Sequence, residues 1–241
     1  MVRNSISLIL FLLPASVALH AQADSSQQLL FDQIYAAADM EYGIDQELIN
    51  GPLFENRNLN VSGLPYLLNY YTNQGSVIYR GKHYSNLNLR YDVYNQQVLL
   101  IYIFDNVEYN IHLQKEHITE FNIEDKKFIN VAYGRDGDAR FYQVIGRDLP
   151  IRILYSWQKG LNNVYVNNPD IKKYSPEQKE TFILLNDKLE LFNGNWSLVR
   201  MFTSENKAAI KDYLRKSNTK VNQANDEKME LLIEFINTLE N

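Results

Sequence analysis

The chain contains no cysteine and only four histidines among 241 residues. Without thiols there is no disulfide, no thiolate metal site, no thiol nucleophile and no cysteine to carry a lipid behind a leader. Three histidines lie beyond residue 23: His83, His112 and His117. In "HLQKEH" His112 and His117 flank Glu116, but a zinc-protease helix needs its histidines at i and i+4. On one strand an odd separation sends the two rings to opposite faces, so both read as ordinary surface side chains.

Other signals are also missing. There is no G-x-S-x-G elbow, and "YGRDGDAR" has neither the phosphate-loop pattern nor a following helix. The carboxylates Asp92, Asp105, Glu108, Glu116 and Glu120 fall in a β-rich region, but nothing in their spacing pairs them across a cleft as a glycosidase requires. Charge of neither sign is concentrated: 24 basic and 29 acidic residues are interspersed. A nucleic-acid partner and a polybasic membrane patch are therefore not expected.

Long apolar runs are confined to the N-terminus. Arg3 precedes Ile6–Val17, which is broken only by Ser7, Pro14 and Ser16, and Ala21-Gln22-Ala23 fits a small-residue cleavage site. This pattern predicts an export leader over 1–23. The run is shorter than the roughly 20 residues a spanning helix needs, so no transmembrane helix is expected in the mature chain. Loss of Arg3 moves the formal charge from −5 to −6.

What is abundant is tyrosine, asparagine and branched apolar residues, most of all in Ser85–Leu113. Residues 24–75 read as a helix over Ser25–Met40 and then an ordered loop region punctuated by Gly51-Pro52, Gly63, Pro65 and Gly75. Residues 76–203 read as antiparallel β: Ser76–Tyr79, Leu87–Tyr94, Gln97–Phe104, Val107–Leu113, Ile118–Ile123, Lys127–Tyr133, Ala139–Ile145, Pro150–Trp157, Asn163–Val166, Thr181–Leu185 and Lys188–Phe192. The breaks are too short for parallel crossovers, so a meander is expected, its curvature and closure left open. Asp170–Glu180 reads as a charged loop or short helix, and "VLLIYIF" as a central strand covered on both faces.

Residues 204–241 change period. Ser204 caps a helix bearing Ala209, Ile210, Tyr213 and Leu214, and a second, from about Asp226, carries a stripe of Met229, Leu232, Ile233, Phe235 and Ile236. The predicted fold class is α+β, mainly β: one domain over 24–241, an antiparallel sheet with a C-terminal two-helix hairpin.

The order of "LINGPLFENRNLNVSGLPYL", "GSVIYRGKHYSNLNLRYDVYNQQVLL", "IHLQKEHITEFNIEDKKFINV" and the ending "NGNWSLVRMF…NKAAIKDYLRKSNTKVNQANDEKMELLIEFINTLE" resembles a family of exported β-rich proteins common in Bacteroidota. The resemblance covers nearly all of the mature chain and implies envelope location and fold, with no catalytic residue to carry over. One departure is Asn50-Gly51-Pro52-Leu53-Phe54, where the family pattern has N-G-R-x-Y.

The sequence predicts a non-catalytic, exported protein, periplasmic or associated with the outer membrane through a protein partner, and needing no cofactor. Its expected contact surface is a polar, tyrosine-rich sheet face around Tyr79, Tyr84, Arg90 and Tyr94, because aromatic enrichment marks interfaces. The alternatives are a carrier whose curved sheet holds a small apolar or lipid ligand, and a glycan-acting hydrolase.

Overall fold

The computed structural model describes residues 45–54, 61–68, 73–132, 139–165 and 168–240. The expected leader, the helix expected over Ser25–Met40 and Asp136-Gly137 of "YGRDGDAR", where a turn is expected, lie outside them. The chain divides into Met1–Asp45 and Gln46–Asn241, and the fold below is that of the second unit.

Period-two runs of branched and aromatic residues form strands because such side chains pack well on a pleated surface. Ten strands make one antiparallel sheet that does not close into a barrel: β2 (Asn73–Tyr79), β3 (Lys82–Asp92), β4 (Gln97–Phe104), β5 (Val107–Leu113), β6 (Ile118–Ile123), β7 (Lys126–Val131), β8 (Arg140–Ile145), β9 (Arg152–Gln158), β12 (Gln178–Leu185) and β13 (Lys188–Phe192). The order is β13-β12-β9-β8-β7-β6-β2-β3-β4-β5. A small second sheet joins β1 (Val61–Ser62), β11 (Asn168–Tyr174) and β10 (Leu161–Tyr165), with β1 parallel to β11.

Two expectations change. Asp170–Glu180 is neither a loop nor a helix: most of it lies in β11 and β12, where cross-strand backbone bonds override the weak strand propensity of charged residues. The large sheet is also two meanders, not one. After β5 the chain makes a 3-10 turn, Lys115–His117, and crosses to the free side of β2, where the Arg80 N–H donates to the His117 carbonyl at 2.8 Å.

Tight turns hold the hairpins. Arg80-Gly81, Asp105-Asn106 and Asn186-Asp187 are left-handed at both central residues, the geometry whose twist matches that of paired strands.

The sheet folds sharply over itself through β3. Val77 pairs with Tyr84 but Gly75 pairs with Leu87, so β3 carries an extra residue at a bulge where Asn86 has φ +55°. At Gly75 the strands approach so closely that a Cβ would lie 2.2 Å from the Asn122 carbonyl oxygen. Beyond the bulge β3 arcs over the concave face. A flat sheet would hold β3 and β8 about 19 Å apart, four strand spacings of about 4.8 Å. Instead the Tyr91 and Phe141 ring centroids are 5.7 Å apart, and Tyr91 also meets Phe121 and Phe128 at 5.3 Å. These four rings fill the curl.

The rest of the concave face is covered by helices. α1 (Gln46–Ile49) is a single turn, whereas α2 (Asn195–Val199), α3 (Ser204–Lys216) and α4 (Asp226–Glu240) follow β13. Met229, Leu232, Ile233 and Ile236 of α4 and Ile210 and Leu214 of α3 bury themselves against Ile145, Ile153, Tyr155, Ile183 and Phe192. Asn225 caps α4, its Oδ1 accepting the Lys228 N–H at 3.1 Å. Asn237 docks the far end: its Oδ1 accepts the Ile151 N–H at 3.0 Å and its Nδ2 donates to the Ile151 carbonyl at 2.9 Å. Among the described residues no helix is long and apolar enough to cross a membrane.

Candidate functional sites at a hairpin tip and a sheet-end cleft

The four residues expected to form one exposed face do not do so. Tyr79 and Tyr84 are buried, Arg90 is 5% exposed, and only Tyr94 reaches the surface at 36%. The bulge at Asn86 is the reason for Tyr84. One extra residue flips the parity of the strand, so Tyr84 shares the apolar face of Leu87, Leu89 and Tyr91 instead of opposing it. Tyr79 lies edge-on to His117 at 5.7 Å. Arg90 does sit on the opposite face, but chain folded over that face covers it. Tyr66 bridges to Asp92, the Arg90 guanidinium lies over the Tyr66 ring at 5.5 Å, and it bonds Asn110 at 2.6 Å and Glu108 at 3.3 Å.

The exposed apolar surface is elsewhere. In β4, Val98–Ile101 are buried on both faces as expected, but the strand is second from the sheet edge and its end runs out into solvent. At the tip of the β4–β5 hairpin Ile103 is 62% exposed, Phe104 55% and Val107 50%. Phe104 stacks on Tyr102 at 6.3 Å, and Tyr102 meets Tyr109 at 6.4 Å. The left-handed Asp105-Asn106 turn holds the tip together. Among the described residues, segment Pro52–Phe54 pairs with the outer edge of β5 at Asn110–His112. The sequence carries the signal, a run apolar on both faces, but only its first half is covered on both sides.

Tyr94 belongs to a different feature, a cleft of about 540 Å³ where the folded-over layer meets the ends of β7, β8 and β9. Its walls include Tyr94, Lys115, Glu116, Asn130, Arg140 and Trp157. Each wall is pinned. The Asp92 carboxylate accepts from the Tyr94 and Asn95 N–H groups at 3.0 and 2.8 Å and from Asn95 Nδ2 at 2.8 Å. Burial pushes that carboxyl above its ordinary range despite these bonds. Gln96 donates to the Trp157 carbonyl at 2.9 Å and accepts from the Tyr91 hydroxyl at 2.7 Å. Asn130 Nδ2 bridges the Lys115 and Ile118 carbonyls at 2.7 and 2.9 Å, fixing the 3-10 turn. Lys159, almost wholly buried, donates to the Leu64 and Tyr66 carbonyls at 3.1 and 2.7 Å and sits 3.5 Å from Glu177. No sequence signal marks this cleft, because its walls come from five separated stretches.

Asp105 lies in the exposed hairpin turn, Glu108 pairs with Arg90, Glu120 pairs with Lys127 at 2.6 Å, and Glu116 lines the cleft. His112 is half-buried and burial lowers its pKa, the nearby Glu116 opposing. Among the described residues no three acidic or histidine side chains are grouped to hold a metal. Asn195, within an N-x-S triplet, spends its amide on the Thr219 carbonyl and the Val221 N–H. No protein-family model, curated protein or solved structure matches the chain.

Proposed function

We propose that the protein is a non-catalytic, exported component of an envelope assembly that docks on a partner protein by seating its β4–β5 hairpin tip in an apolar groove. The observation carrying this reading is the tip itself, with Ile103, Phe104 and Val107 each at least half exposed on one projecting turn. Exposed apolar groups gathered in one place favour an interaction site, whereas single scattered ones need no explanation. The partner groove would carry a basic residue at its rim, facing Asp105 in the turn of the tip. Export rests on the leader pattern and on the resemblance to exported Bacteroidota proteins. An apolar cargo held inside the curled sheet has little support, since Tyr91, Phe121, Phe128 and Phe141 occupy that space.

The test is a pull-down of C-terminally tagged protein from envelopes solubilised in mild detergent, run beside a variant with Ile103, Phe104 and Val107 all changed to serine. A stoichiometric protein partner captured by the wild type and lost by the variant supports the reading. Capture of the same partner by both forms refutes docking through the tip, and a wild type that arrives alone refutes the accessory role.

A further inference from the structure

One lysine on the concave face is seated on aromatic rings instead of on a carboxylate. Among the described residues, the ammonium groups of Lys126, Lys127 and Lys159 meet carboxylates at 2.7, 2.6 and 3.5 Å, whereas Lys179 meets none. The register of β12 against β9 sets Thr181 opposite Tyr155 and Lys179 opposite Trp157, which brings the lysine beside both rings. Its Nζ lies 3.8 Å from the centre of the Tyr155 ring and 5.6 Å from that of Trp157. Asp226 acts on it through space, but the Asp226 Oδ2 accepts from Lys126 and Gln143, each at 2.7 Å. Beside Lys179 opens a cavity of about 310 Å³, lined also by Thr181, Phe192, Asn193, Val221 and Asn222.

We infer that Lys179 captures a small aldehyde in this cavity as a reversible imine. A lysine becomes a nucleophile when it sheds its proton, and desolvation or a second cation nearby brings this about. Both conditions hold here. Burial lowers the Lys179 pKa and Lys126 pushes the same way, with Asp226 opposing them. The ring faces attract the charged form, but they also hold the long side chain in one place. The reaction balances without a further reagent. The amine lone pair attacks the carbonyl carbon, a C=N bond replaces the C=O bond, and the two amine hydrogens leave with the oxygen as water. No electrons are gained or lost. The cavity lies at the small end of the range for small-molecule sites. Phe192 and Val221 give an apolar wall for the tail of the aldehyde, and Thr181 and Asn222 a polar one for the departing oxygen.

The test is competition among the chain's own lysines. The protein is incubated at neutral pH with limiting benzaldehyde and cyanoborohydride, which reduces the imine to a stable amine, and the modified lysines are mapped by mass spectrometry. Lys179 should be labelled at least about tenfold faster than the exposed Lys188 and Lys220, a margin that a binding cavity supplies by proximity. Asn222→Trp, at an exposed position in the lining, narrows the cavity. It should slow benzaldehyde labelling of Lys179 by about tenfold, whereas formaldehyde, which is far smaller, should label Lys179 as before. Labelling of Lys179 no faster than that of Lys188 and Lys220 overturns the inference. So does benzaldehyde labelling that Asn222→Trp leaves unchanged, or formaldehyde labelling that it slows equally. None of these outcomes bears on the hairpin tip.

Discussion

Replacing Asn237 by leucine, its near equal in volume, should lower stability far more than its single position on α4 suggests. The side-chain amide takes the place of a strand partner for Ile151, accepting from its N–H at 3.0 Å and donating to its carbonyl at 2.9 Å. A second contact, 2.8 Å to the Ile233 carbonyl, lies within the helix and is already duplicated by the helix ladder. Leucine leaves two buried backbone groups without partners, at about 1–3 kcal/mol each. The added apolar burial returns part of that, leaving a net loss of about 2–4 kcal/mol. For a domain of this size that corresponds to a fall in Tm of roughly 4–16 °C. Urea unfolding followed by circular dichroism measures it, with Glu234→Gln on the exposed face of α4 as a control expected to stay within about 0.5 kcal/mol. Asn237→Asp, which keeps the acceptor for the Ile151 N–H but not the donor, should fall between. A loss below about 1 kcal/mol for the leucine variant, at unchanged denaturant slope, would mean that water reaches Ile151 freely and that the amide does not hold α4 to the sheet.

Other perturbations test other joints. Gly75→Ala places a methyl against the Asn122 carbonyl and 3.1 Å from Leu89 Cδ1, so β2 and β6 must separate; calorimetry should show a loss of about 2–4 kcal/mol. Lys159→Met removes the ammonium that ties the end of β9 to the Leu64 and Tyr66 carbonyls, and hydrogen exchange should rise in 61–68 with a stability loss of about 2–3 kcal/mol. The Asp226 carboxyl is acid-sensitive in the usual direction. Burial pushes its pKa up, but hydrogen bonds from Lys126 and Gln143 and the charges of Lys126 and Lys179 outweigh this and hold it below 3.8. Its contribution is therefore present above that ordinary value and lost as pH falls through the lower folded value. On acidification the wild type should lose more stability than Asp226→Asn, as paired denaturation curves would show. Serine at Ile103 or Phe104 should leave stability within about 0.5 kcal/mol, because neither side chain is buried.

Much of this molecule is legible in its linear pattern. Period-two alternation placed the strands, short polar breaks made neighbours antiparallel, and the shift to helical spacing after Ser204 located α3 and α4 and the buried stripe of α4. These are local properties, set by which side chains can share a face within a few residues. Where that local rule failed, the cause was a long-range one. A single extra residue at Asn86 reversed the parity of β3 and buried Tyr84, and no propensity signals a bulge of that kind. Arg90 was polar on a polar face, yet Tyr66 covers it from 24 positions away in the sequence. Strand order beyond nearest neighbours, the fold of β3 over the aromatic rings, and the meeting of Tyr94, Lys115, Arg140 and Trp157 at one cleft all depend on curvature. Curvature depends on bulges, close glycine contacts and the chance to bury four rings together. The residue types alone determined a mainly β chain with two C-terminal helices. Only the tertiary structure decided which of its many tyrosines would meet solvent, because exposure depends on what the rest of the chain packs against.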